Sequence, residues 1–145
     1  MPTRRRLMRQ IDIAAVRAAI AASEKRTSAE IRVSVSVFFW GDVERASHRA
    51  FDRLGMRNTR DRSGVLIFLV PARRKFAVVG DQGIHERAGD DFWRAVAAAM
   101  QVHFRNSEFT AGLVAGVTAL ADELAVHFPP EAGDHNQLPD DVDLG

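Results

Sequence analysis

Residues 58–93 run N-T-R-D-R-S-G-V-L-I-F-L-V, then P-A-R-R-K, then F-A-V-V-G-D-Q-G-I, and through H-E-R-A-G into D-D-F-W. The apolar run at 65–70 shows no alternation, the pattern of a central strand buried on both faces. Residues 71–75 form a turn, and 76–79 return as a second strand, antiparallel to the first. That return carries Gly80 and Asp81 back beside Asp61. Carboxylates far apart in the chain are thereby brought toward one edge of a sheet.

Upstream, the stretch T-S-A-E-I-R-V-S-V-S-V-F-F-W occupies residues 27–40. Thr27 and Glu30 imitate a helix capping box, but Ile31, Val33, Val35 and Val37 alternate strictly with Arg32, Ser34 and Ser36. Alternation of period two decides for a strand. Before it, Asp12 caps a helix whose inner face is Ile13, Val16 and Ile20, with Ile11 placed to staple onto Val16. After it, Asp42 caps a helix over 43–54 with Val43, Ala46, Ala50 and Leu54 inward, ended by Gly55.

Downstream, Asp90 or Asp91 caps a helix to about residue 104, with Phe92, Val96, Met100 and His103 on one face. Ser107 caps the last helix, whose stripe is Phe109, Leu113, Val117, Leu120, Leu124 and Phe128, and Pro129-Pro130 stops it. The order is α-β-α-β-β-α-α. The first two strands are joined through a helix and should lie parallel by a right-handed crossover. Helices on both faces of this small mixed sheet give a three-layer α/β/α sandwich.

The chain has 145 residues, enough for one domain with a full core. That domain is placed at 11–130. Residues 1–10 form a basic N-terminal arm carrying Arg4, Arg5, Arg6 and Arg9. Residues 131–145 form an acidic disordered tail with Glu131, Asp134, Asp140, Asp141 and Asp143 and no cation. A net charge of +1 argues against a nucleic-acid partner. The absence of cysteine excludes disulfides, thiolate nucleophiles and Cys-based zinc sites. No apolar run approaches the about 20 residues of a transmembrane segment, and residues 10–17 carry charge where a signal peptide needs an apolar core. The chain as given reads as cytoplasmic.

Five pieces in order resemble the TPM domain family. They are T-S-A-E-I-R-V, A-F-D-R-L-G-M-R-N-T, S-G-V-L-I-F-L, R-K-F-A-V-V-G-D-Q-G-I, and G-L-V-A-G-V-T-A-L-A-D-E-L leading to H-F-P. Together they cover roughly residues 10 to 130. The resemblance implies an α/β/α fold. It also implies the acid phosphatase activity proposed for a thylakoid-lumen member linked to photosystem repair, and the membrane-anchored or exported location of many bacterial members. Two features depart from the family. The chain shows no transmembrane segment or Gly-rich tail. Where many members carry an acid two positions before the Gly of the G-V-L strand, this chain has Arg62, with Asp61 one place earlier.

Two edges of the sheet are candidate sites. Glu30 starts the first strand, Asp61 precedes the second and Asp81 follows the third, so all three lie at one edge, with Asp90 and Asp91 a short loop away. Clustered carboxylates repel unless a cation neutralises them, and oxygen-only ligands suit Ca²⁺ or Mg²⁺. Such an ion would hold a phosphorylated substrate and activate water for phosphomonoester hydrolysis. The plainer reading makes Asp90 a cap, Glu30 a solvated strand entry, and Asp61 an ion-pair partner of Arg60 or Arg62. At the opposite edge, where ligands of open α/β sheets favour the C-terminal ends of parallel strands, Trp40 and Asp42 face Arg73 and Arg74. That surface suits an anionic ligand or a protein partner. Its plain reading is a solvated turn beside a rim tryptophan.

The zincin-like His85-Glu86 fails because Gly89 stands where the second His belongs. The sequence therefore leaves two functions open: a metal-dependent phosphomonoesterase, or a non-catalytic binding or assembly module of the same fold.

Overall fold

The computed structural model describes residues 3–130 and 142–145. Three strands alternate with helices as the apolar pattern requires: α2 (Ile13–Glu24), β1 (Glu30–Val35), α3 (Val43–Arg53), β2 (Gly64–Val70), β3 (Lys75–Gly80), α5 (Asp90–Arg105) and α6 (Phe109–His127). Three elements were not foreseen: α1 (Arg4–Arg9), the one-and-a-half-turn α4 (Gln82–Arg87) and β4 (Val142–Asp143).

β1 and β2 pair in parallel, in register from Glu30↔Gly64 to Val35↔Leu69. β3 returns antiparallel to β2. Between them residues Pro71–Arg73 form a single 3₁₀ turn, and Arg74 in the left-handed region (φ 52) completes the reversal. The sheet order is β3-β2-β1-β4.

Every residue of β2 is buried, as expected of a strand without alternation. On one face Ile31, Val33, Val35, Ile67 and Leu69 meet Val16 and Ile20 of α2, Phe104 of α5, and Leu113, Val117 and Leu120 of α6. On the other, Leu66, Phe68 and Val70 meet Ala46, Ala50 and Phe51 of α3 and Met56 beyond it. Helices therefore cover both faces, and the three-layer α/β/α sandwich is the observed fold. By length and composition α6 would also serve to cross a membrane, but its stripe is packed into this core.

Four local expectations are corrected. The N-cap of α5 is Gly89, so Asp90 and Asp91 lie in its first turn, where the helix dipole favours acids. Glu108 rather than Ser107 starts α6. Residues 4–9 are helical rather than an arm, because Thr3 accepts a hydrogen bond from the Arg6 N–H and Leu7 buries itself in the core. The polar tail does not extend to the last residues: Val142 is buried and pairs with Val33 at the β1 edge. Residues 131–141, the rest of that expected tail, lie outside the described residues.

Candidate functional site

The N-terminal edge of the sheet is built as the topology demands. The Glu30 N–H donates to the Ser63 carbonyl at 3.1 Å, and the Asp81 N–H to the Gly64 carbonyl at 2.9 Å. Glu30, Asp61 and Asp81 thus leave the sheet at one edge. Their carboxylates, however, do not share a point. β2 lies between β1 and β3, and two strand spacings of about 4.8 Å put the backbones of Glu30 and Asp81 on the order of 10 Å apart. Among the described residues no group of three or more His, Cys, Asp or Glu side chains is placed to hold a metal ion.

Each carboxylate has its own surroundings. Asp81 is buried and held bidentately by Arg62, with Nε to Oδ2 at 2.8 Å and Nη2 to Oδ1 at 2.9 Å. It also caps α4, accepting the Gln82 N–H at 2.7 Å. Burial pushes the Asp81 carboxyl up. The hydrogen bonds from Arg62 and the Gln82 N–H, with the charges of Arg62 and Arg57, outweigh it and hold the group below its ordinary range. Glu30 is buried against Arg32, Nη2 to Oε2 at 2.9 Å. Arg32 in turn donates to the Ile31 carbonyl at 2.6 Å, and burial lowers its pKa despite Glu30. Asp61 is exposed. Asp90 is exposed too, and Asp91 pairs with Arg94 at 3.2 Å in the first turn of α5.

Arg62 owes its position to a tight loop. Thr59 accepts the N–H groups of Arg62 and Ser63, and Arg62 takes a left-handed backbone (φ 53). Its carbonyl receives the Gly83 N–H at 2.9 Å. A Cβ on Gly83 would collide with the carbonyls of Asp61 and Arg62, so glycine is what lets α4 close onto this loop.

Ca²⁺ takes about six to eight oxygen ligands and Mg²⁺ about six, waters among them. Here both oxygens of Asp81 already accept from N–H donors, and Glu30 is on the far side of β2. The described carboxylates are therefore not gathered around one point where such an ion would sit.

At the opposite edge Arg73 donates to the carbonyls of Gly41 at 2.8 Å and Phe39 at 3.1 Å, with its guanidinium 6.0 Å from the Trp40 ring. Trp40 is 69% exposed and Phe38 is exposed beside it in sequence. Asp42 caps α3 by accepting the Arg45 N–H at 3.1 Å. Arg74 reaches away, to the Arg105 carbonyl at 3.3 Å. Trp40 and Arg73 therefore belong to one surface, Asp42 serves the helix, and Arg74 joins the turn to α5.

Sequence reasoning missed the partners. Arg62 stood in the position where the resembled family carries an acid, and that was the available signal for the Arg62–Asp81 pair. No signal pointed to Arg53, which holds Asp143 bidentately at 2.6 and 3.2 Å.

Comparison with known proteins agrees with the fold. The profile of the TPM domain matches residues 4–123. The solved structure of BA42 protein from the psychrophilic bacterium Bizionia argentinensis is similar, with a TM-score of 0.87 and 35% identity over 92% of each chain. The N-terminal domain of cg2496 protein from Corynebacterium glutamicum has a TM-score of 0.61 and 17% identity over 76% of this chain and 69% of that one. The N-terminal domain of a P. gingivalis protein has a TM-score of 0.64 and 19% identity over 81% and 74%. These last two share the fold alone. No curated protein matches the chain.

Proposed function

Because this chain belongs to the TPM domain family, we propose that it works as a binding module of that fold, with Asp81 and Glu30 neutralised by Arg62 and Arg32. The observation that carries this reading is the bidentate Arg62–Asp81 pair. A guanidinium already supplies the positive charge that a bound cation would bring to Asp81. The pairing is planar, doubly hydrogen-bonded and charge-assisted, the strongest form a carboxylate meets outside a metal.

The partner surface in this reading is the corner of Trp40, Phe38 and Arg73. Tryptophan and arginine are enriched at protein interfaces, the one for its large contact area and the other for its several donors. The two carbonyl contacts of Arg73 hold this corner ready. A protein partner fits this exposed aromatic surface, with Trp40 69% exposed and Phe38 beside it in sequence.

The competing reading is the phosphomonoesterase with Ca²⁺ or Mg²⁺ at Glu30, Asp61 and Asp81. It requires Arg62 to release Asp81. The decisive experiment is phosphate release from a generic phosphomonoester, with and without Ca²⁺ and Mg²⁺, at acidic and neutral pH. The binding-module reading expects no metal-dependent release by the wild-type chain. Metal-dependent release that disappears in Asp81→Asn would overturn it.

A further inference from the structure

β4 is the least expected element of the fold, and its surroundings are built rather than incidental. Val142 pairs with Val33 and Asp143 with Ser34, in parallel, on the outer edge of β1. Val142 is buried in the main core. The Asp143 carboxylate accepts the Ser34 hydroxyl at 2.7 Å and the two Arg53 contacts. Ser34 is itself 1% exposed, covered where β4 pairs with β1. Arg4 reaches the Leu144 carbonyl at 3.4 Å. Beside Gly145 lies an open pocket of about 180 Å³ whose lining includes Ser36, Arg49, Phe39 and Phe68.

Two further facts bear on what this edge is for. The segment that matches the TPM profile ends at residue 123, within α6, and β4 follows it in the sequence. The segment D-D-V-D-L-G at residues 140–145 carries three carboxylates and no cation, and the groove around β4 offers Arg4, Arg49 and Arg53.

We infer that the outer edge of β1 is a receptor for an extended acidic peptide with an apolar residue followed by Asp, and that residues 142–143 are its occupant in cis. The inference rests on the binding-module reading and gives it a second surface with a defined ligand. Recognition divides into three parts. The β1 backbone supplies strand pairing, the core pocket of Val142 selects an apolar side chain, and Ser34 with Arg53 select a carboxylate one residue on. The described β4 spans two residues. A partner peptide of the same pattern with longer pairing displaces it by mass action.

The test introduces a protease site between residues 131 and 141 of the otherwise intact chain, cleaves the folded protein and removes the released fragment. A fluorescent peptide of residues 140–145 is then titrated into the cleaved protein. Saturable binding is expected, weakened by about tenfold or more when the peptide carries Asp143→Asn, the loss expected for removing a charged acceptor. Arg53→Gln in the cleaved protein should weaken it similarly, and the uncleaved chain should bind far less because its own strand is in place. Circular dichroism and gel filtration report whether the cleaved domain remains folded and monomeric. A folded cleaved domain that binds nothing, or binds both peptides equally, overturns the inference. So does unfolding on cleavage, since β4 would then be integral to the domain. None of these failures alters the phosphate-release result, which tests the carboxylate edge separately.

Discussion

Asp81 does two jobs with one carboxylate: it starts α4 by accepting the Gln82 N–H and it receives the Arg62 guanidinium. Removing both roles with Asp81→Ala should cost about 1–2 kcal/mol, the upper range for losing a helix cap. Asp81→Asn should cost less, since asparagine also caps. Chemical denaturation of the two variants checks the order. The pH dependence follows from direction alone. Asp81 is held low by Arg62 and the Gln82 N–H against burial, and Asp143 is held low chiefly by the Arg53 hydrogen bonds, against burial, with help from Ser34. Carboxyls depressed in the folded state contribute stability that is complete above the unfolded value of about 3.9. That contribution is lost as the pH falls through the lower folded values. Melting temperature should therefore drop on acidification below that point, and the drop should be shallower in the Asp81→Asn, Asp143→Asn double variant. An equal acid slope in the double variant would show that other carboxylates govern the transition.

At the scale of elements, what could be read followed apolar period. Residues 65–70 have no alternation and form the buried centre of the sheet; Phe68 is 4% exposed against α3. Phe68→Ala should cost about 3–5 kcal/mol by equilibrium denaturation, as transfer and cavity terms combine. A cost near zero would mean that α3 does not pack on it. The strict alternation at 31–37 identified β1, and the plain reading of Glu30 made it a solvated strand entry. In the structure Glu30, Arg32 and Ser34 are all buried, because ion pairing and β4 cover them. Period could not reveal β4, which spans two residues with one buried apolar side chain. Nor could it reveal α1, whose six residues are too few to display a face and whose one buried anchor is Leu7. The edge position of Glu30, Asp61 and Asp81 was legible from topology. That Asp81 and Glu30 each take an arginine was not, since it depends on where Arg62 and Arg32 reach.

For the molecule as a whole, the account turns on whether its charge balance at the sheet edge is complete without an ion. Arg62 and Arg32 are covalently part of the chain, so neutralisation of Asp81 and Glu30 needs no ligand concentration and survives dialysis. In this reading the Trp40 corner serves a partner, while the outer β1 edge carries β4 in cis. The most direct measurement is the melting temperature of the wild-type chain in chelator and in saturating Ca²⁺ or Mg²⁺. The account predicts superimposable transitions. An ion present at 100 times its dissociation constant would add about 2.7 kcal/mol to the native state, an increase of several degrees for a domain of this size. A rise of that order, abolished in Asp81→Asn, would contradict the account and return the edge to metal chemistry.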